Sequence, residues 1–150
     1  MKKTECINEL KLSFPSYSVN ESTARTMVSA FCATLNPTVE EIADIRCAVS
    51  EAVTNCIVHA YRNTIGTVSI SVKLYSDRSI RIEIKDKGCG IRDVEKALQP
   101  LYTSDPEGER SGMGFTVMES FMDSMSVRSK VDGGTKVTMK KKLYSLPVKK

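Results

Sequence analysis

Residues 67–90 read Thr67-Val-Ser-Ile-Ser-Val-Lys-Leu-Tyr-Ser-Asp-Arg-Ser-Ile-Arg-Ile-Glu-Ile-Lys-Asp-Lys-Gly-Cys-Gly90. Apolar residues stand at every second position, Val68, Ile70, Val72 and Leu74, and then again at Ile80, Ile82 and Ile84. In an extended chain that period puts both sets on one face. Ser76-Asp77-Arg78 lies between the two runs and reads as a turn, so the segment is a β-hairpin with one buried face. Asp86-Lys87-Gly88-Cys89-Gly90 then breaks the alternation and ends the second strand.

Upstream the period changes to that of a helix. Thr38-Val39-Glu40-Glu41 has the form of a capping box, and Ile42, Ile45, Val49, Val53 and Ile57 follow on one stripe, predicting a helix to about Tyr61. Before it, Asn20 reads as the N-cap of a helix from Glu21 to Leu35, with Ala24, Met27, Val28, Phe31 and Leu35 at helical spacing and Asn36-Pro37 as its stop. Residues 8–14 alternate weakly up to Pro15, which suggests a first strand. Downstream, a short helix is expected around Val94 to Leu98, and the aperiodic stretch from Gln99 to Arg110 reads as a long loop. Ser111-Gly112-Met113-Gly114 opens a further helix carrying Phe115, Met118, Phe121 and Met122. Val127, and then Val137 and Met139, supply two last strands around the turn Asp132-Gly133-Gly134. The order β-α-α-β-β-(loop)-α-β-β predicts an α+β fold, a two-layer α/β sandwich with helices on one face of a mixed, mostly antiparallel sheet.

A chain of 150 residues, 41% apolar and 27% charged, has the length and balance of one globular domain spanning residues 1–150. No stretch approaches the ~18 apolar residues of a membrane span, and the amino terminus lacks an apolar leader core, so a cytoplasmic protein without membrane contact is expected. The five cysteines are odd in number and none form a C-x-x-C pair, which points to reduced thiols. Cys32, Cys47 and Cys56 fall inside apolar helical patterns and read as small buried hydrophobes. His59, the single histidine, cannot build a zinc site alone. The net charge of +4 is concentrated in Lys136, Lys140, Lys141, Lys142, Lys149 and Lys150. Without interleaved aromatics or a recognition motif this reads as a solvated edge strand and tail rather than a nucleic-acid surface.

Three clusters carry chemistry. Glu51 and Asn55 stand four residues apart, hence on one helix face a turn from each other. Asp86-x-Gly88-x-Gly90 directly follows a strand, and Arg110-Ser111-Gly112-Met113-Gly114 marks a helix start, where glycines let backbone N–H groups approach a phosphate. Singly, each has an ordinary explanation as a solvated helix position or a turn.

Together, and with Gly134-Thr135 entering a strand, they resemble the GHKL (Bergerat) ATP-binding family over essentially the whole chain. Glu51-Ala-Val-Thr-Asn55 followed by His59, Gln99-Pro100-Leu101, Arg110-Ser-Gly-Met-Gly-Phe115 and Met118-Glu-Ser-Phe-Met-Asp123 are similar to its branch of anti-sigma serine kinases from spore-forming bacteria. The resemblance implies ATP/ADP and Mg²⁺ as ligands. Asp86 and Thr135 are then expected at the adenine, with Gly88 and Gly90 beside them. Asn55 is expected on Mg²⁺, Glu51 as general base, Arg110 as a second catalytic residue that holds the phosphates and spreads transition-state charge, and Ser111, Gly112, Met113 and Gly114 around the phosphates, with Asp105 to Glu109 in the ATP lid. It further implies Glu21 and Arg25 as protein-contacting residues, a homodimer, and two partners: a sporulation sigma factor, sigma F, held inactive, and an anti-anti-sigma factor phosphorylated on serine. A stress-response kinase of the same branch and a non-catalytic, nucleotide-dependent binding module are the alternatives. Ala60 departs from the His-Gly pattern of some relatives, and His59 is expected to pack rather than to catalyse.

Overall fold

The computed structural model of the chain describes residues 3–99 and 114–144. The hairpin forms as its alternation requires. Strands β2 (Thr67–Tyr75) and β3 (Ser79–Asp86) pair with Ile70 opposite Ile84, Val72 opposite Ile82 and Leu74 opposite Ile80. Around it lie β1 (Cys6–Pro15), β4 (Ser124–Lys130) and β5 (Gly134–Lys142), giving a five-stranded sheet in the order β1-β2-β3-β5-β4. Among the described residues every pairing is antiparallel, so the sheet they form is not mixed. For β1 and β2 the reason is the two helices between them: one carries the chain away and the other returns it to the end it left, so β2 runs back along β1.

Helix α1 spans Val19–Cys32 and continues as a 3₁₀ turn, Ala33–Leu35. Asn20 does not cap it. The helix starts after Ser18, and the Asn20 Nδ2 instead donates to the Pro15 carbonyl at 2.9 Å, tying the helix to the end of β1. Helix α2, Val39–Asn55, has the expected capping box: the Glu41 N–H donates to Thr38 Oγ1 at 3.0 Å and the Thr38 N–H to Glu41 Oε1 at 2.9 Å. It is α-helical to Asn55 and then widens into one turn of π-helix, Cys56–Ala60. A short α3 (Val94–Ala97) and α4 (Gly114–Phe121) complete the described elements. Helices α1 and α4 both pack on α2.

The core lies between the helices and one face of the sheet. Alternate residues of β2 and β3, with Val137 and Met139 of β5, meet Ala24 and Val28 of α1, Ile45, Val49 and Val53 of α2, and Met118 of α4. Two residues expected in apolar stripes point elsewhere. Met27 is 44% exposed, displaced by one residue from the buried Ala24–Val28–Cys32 line. Cys47 is exposed because it sits two residues, about 200°, around the helix from Ile45. Cys32 and Cys56 are buried as expected, and burial pushes the Cys32 thiol up to about 12. The lysine-rich β5 is not an edge strand: it lies between β3 and β4, and β4 forms the edge. Lys136, Lys140 and Lys142 share one parity, as on any strand with one solvated face, so composition alone did not separate edge from interior. Lys141 turns inward, its Nζ donating to the Phe121 carbonyl at 2.9 Å and facing Asp44 at 3.5 Å. Lys149 and Lys150 lie outside the described residues.

Arg78 holds the hairpin to the helical layer. It takes the left-handed turn position, φ +68°, and its Nη2 donates to the carbonyls of Leu35 and Asn36 at 2.7 and 3.1 Å. These are carbonyls at the end of a helical segment, which no intrahelical N–H serves.

Candidate functional site

Asp86 continues the inward row Ile80, Ile82, Ile84 by the same parity, so the last residue of an apolar row is an acid, only 4% exposed. A buried carboxylate needs hydrogen-bond donors. Its Oδ1 accepts from the Gly88 N–H at 2.9 Å and the Thr135 N–H at 3.2 Å, and the buried Cys56 thiol donates to the carboxylate. Desolvation outweighs these bonds and holds the Asp86 carboxyl above its ordinary value. The neighbouring carboxylate and burial push the Cys56 thiol upward in turn, burial more strongly.

The segment after β3 is threaded between the π turn and the β4–β5 connection. Gly88 is required by close approach, since a Cβ there would fall on the Ala60 carbonyl oxygen. That oxygen instead accepts from the Cys89 N–H at 3.1 Å. Gly90 has φ +76°, which favours glycine, and a Cβ would meet the Lys130 carbonyl. Tyr61 pins the end of the π turn: its hydroxyl donates to the Thr67 carbonyl at 2.7 Å and accepts from the Lys87 N–H at 2.6 Å.

On α2, Glu51 and Asn55 both face the start of α4. A Cβ placed on Gly114 would lie 3.1 Å from Asn55 Oδ1 and 3.5 Å from Glu51 Oε2. The π turn begins immediately after Asn55, and such turns inside helices recur at functional sites. Between these elements opens a cavity of about 290 Å³. Asp86, Thr135, Asn55 and Gly114 line it, and Ala52, Ile91, Phe115 and Val137 supply apolar wall. A wall of that kind with a few convergent polar groups suits a flat heteroaromatic ring.

Of the residues singled out from sequence, Asn55, Asp86, Gly90, Gly114 and Thr135 line this cavity, Gly88 packs behind it, and Glu51 stands one turn along α2 from Asn55. His59, expected only to pack, also lines it. Arg110, Ser111, Gly112 and Met113, with the loop segment Asp105 to Glu109, lie outside the described residues. Glu21 and Arg25 sit away from the cavity on α1. Glu21 Oε1 accepts from the Ser50 hydroxyl of α2 at 2.9 Å, and its Oε2 lies 3.7 Å from Arg25 Nε. Sequence reasoning missed Ser129, Tyr61 and Cys56 as supports of the site. For Ser129 a signal existed, because Met125, Val127 and Ser129 share one parity.

An adenine amino group fits the buried acceptor Asp86, whose Oδ1 already holds two N–H groups. A magnesium ion fits less protein: among the described residues no group of three or more His, Cys, Asp or Glu could hold a metal. Asn55 offers one neutral hard oxygen, the donor type Mg²⁺ takes when phosphates and water fill its other positions. Among the described residues no helix is long and apolar enough to cross a membrane.

Comparisons with known proteins show the family of the chain. Residues 14–141 match the family model of the histidine kinase-like ATPase domain, a nucleotide-binding domain. The chain is 58% identical over 134 residues to the anti-sigma F factor of Caldanaerobacter subterraneus subsp. tengcongensis, covering 89% of this chain and 93% of that one. It is 55% identical over 135 residues to the anti-sigma F factor of Clostridium acetobutylicum, covering 90% and 94%. Among solved structures it resembles the RsbU and RsbW domains of Rv1364c from Mycobacterium tuberculosis, with a TM-score of 0.66 at 19% identity over 91% of this chain and 32% of that one. It also resembles the mycobacterial sensor histidine kinase MprB, with a TM-score of 0.55 at 12% identity over 87% and 96%. These structural likenesses are of fold alone. With the buried acid, the α2 carboxylate–amide pair and this level of identity over nearly the whole chain, the protein belongs to the anti-sigma F factor family of histidine kinase-like ATPase domains.

Proposed function

We propose that the chain is a cytoplasmic, MgATP-dependent protein-serine kinase that phosphorylates an anti-anti-sigma factor and also holds sigma F inactive, working as a homodimer. The observation that carries the kinase reading is the placement of Glu51. It stands one helical turn from Asn55, and both face Gly114, which with Asn55 lines the cavity. A protein that only senses nucleotide needs the acceptor for the base and has no use for a carboxylate at the phosphate end.

In this reading Asp86 accepts from the adenine amino group, with Thr135 beside it and Gly88 and Gly90 shaping the loop. Asn55 contributes its side-chain oxygen to Mg²⁺, which when bound offsets phosphate charge. Arg110, Ser111, Gly112, Met113 and Gly114 surround the β- and γ-phosphates by their sequence pattern. Glu51 takes the proton of the attacking serine hydroxyl as the serine O–P bond forms and the bond from the γ-phosphorus to the β,γ-bridging oxygen breaks, releasing ADP. Arg25, its side chain 32% exposed on α1, and Glu21, which lies 3.7 Å from it and accepts from Ser50, are the partner-contacting residues.

The test is intact-mass measurement of the anti-anti-sigma factor after incubation with the protein and MgATP, with Glu51→Ala alongside. One added phosphate, absent with a variant that still binds ATP with near-normal affinity, supports both the kinase and its base. An unchanged phosphotransfer rate in Glu51→Ala refutes the base assignment. No added phosphate from the unsubstituted protein refutes the kinase reading and leaves nucleotide-dependent binding of sigma.

A further inference from the structure

Asp86 and Thr135 are direct partners across β3 and β5, and Thr135 and Ser129 are direct partners across β5 and β4. Three polar side chains thus form one row across neighbouring strands, following the apolar row Ile84, Val137 and Val127. The geometry points to Ser129 as a positioning residue that fixes the direction of the Thr135 hydroxyl and makes the base end of the cavity select a ring with an amino group. This rests on the reading above that the cavity holds a purine nucleotide.

Ser129 Oγ meets three groups: the Ile91 N–H at 2.7 Å, the Gly134 carbonyl at 3.1 Å and Thr135 Oγ1 at 2.8 Å. A serine hydroxyl has one hydrogen and two lone pairs. The Ile91 N–H occupies one lone pair. The Gly134 carbonyl, at 3.1 Å, can only accept, and in the proposed arrangement it takes that one hydrogen. Thr135 then donates its own hydrogen to the remaining lone pair of Ser129 across the 2.8 Å contact, in which either hydroxyl has the geometry to donate. Its hydroxyl therefore presents only lone pairs to the cavity, which it lines, whereas Ser129 does not. The Asp86 carboxylate on the adjacent strand is an acceptor as well. Two acceptors side by side suit a ring amino group, as in adenine, and oppose a ring carbonyl at the same position, as in hypoxanthine. The Ile91 bond also ties this row to the loop after Gly90, so one hydroxyl sets both the wall and its polarity.

The test is calorimetric titration of the full chain with ADP and with IDP, which differ in the 6-substituent, amino against carbonyl, and in the hydrogen on the adjacent N1, for the unsubstituted protein and for Ser129→Ala, Ser129→Thr and Thr135→Val. Ser129→Ala frees the Thr135 hydroxyl to turn and donate, and the preference for ADP over IDP falls about fivefold to tenfold, the worth of one hydrogen bond. Ser129→Thr restores the hydroxyl and the preference. In a Thr135→Val background, Ser129→Ala has no further effect on the ratio. If Ser129→Ala weakens both nucleotides equally and leaves the ratio unchanged, Ser129 only braces the fold and the inference is overturned. Equal affinities for ADP and IDP in the unsubstituted protein overturn the adenine reading, and this inference with it.

Discussion

Asp86→Asn changes nucleotide affinity and the stability of the free protein in opposite directions, and the structure sets both signs. The substitution keeps volume and one carbonyl oxygen, so the Gly88 and Thr135 N–H groups retain their acceptor at this 4%-exposed position. It replaces the second oxygen by an amino group, turning an acceptor for the ligand into a donor. A hydrogen bond to a charged acceptor contributes about 1.5–3 kcal/mol. At 1.4 kcal/mol per decade, ADP should bind roughly 10- to 150-fold more weakly to the variant at pH 7. Stability moves the other way. Burial holds the Asp86 carboxyl above its reference value of 3.8, so the folded state binds this proton more tightly than the unfolded chain does. Stability of the free protein therefore falls as pH rises from that reference value through the folded one, and above it the full penalty of the buried charge remains. The amide introduced by the substitution does not titrate. The gap in stability between variant and unsubstituted protein should widen in favour of the variant across that window and then level off. Calorimetric titration with ADP and denaturant unfolding at a series of pH values read the two effects separately. Unchanged ADP affinity refutes adenine recognition by Asp86. If the unsubstituted protein instead gains stability relative to the variant across the same window, desolvation is not the dominant influence on this carboxyl.

Two further outcomes follow from local geometry. Gly88→Ala forces a Cβ against the Ala60 carbonyl and displaces the loop from the π turn, so ADP affinity should fall at least tenfold, visible by titration, while far-ultraviolet dichroism stays native. Thr38→Ala removes half of the α2 capping box and should cost about 1 kcal/mol, a loss of roughly 2–4 °C in Tm with nucleotide affinity unchanged, because the cap lies at the opposite end of α2 from Asn55.

Much of the site was legible because its signals are local. The hairpin's period of two carries Asp86 to the inward face without any knowledge of its neighbours, and Thr38 and Glu41 announce the start of α2 through two bonds spanning three residues. Glu51 and Asn55 share a face by helical spacing alone. Where local rules had two solutions, the structure took the other one. Asn20 could cap a helix or bond the preceding strand, and it bonds the Pro15 carbonyl. Cys47 lay inside an apolar stretch but on its far face.

What the chain determines by itself is which residues point inward within each element, because side-chain direction repeats with the backbone's own period. Which of those inward residues meet depends on strand order and register, and these come from contacts between segments far apart in sequence. Placing β5 between β3 and β4 turns the lysine-bearing strand into the centre of the Asp86–Thr135–Ser129 row. Closing β3 beneath the π turn gives Gly88 its constraint and Tyr61 its two bonds. A hydroxyl's one hydrogen goes to whichever acceptor the fold brings near, so the polarity of the site is a property of the tertiary structure.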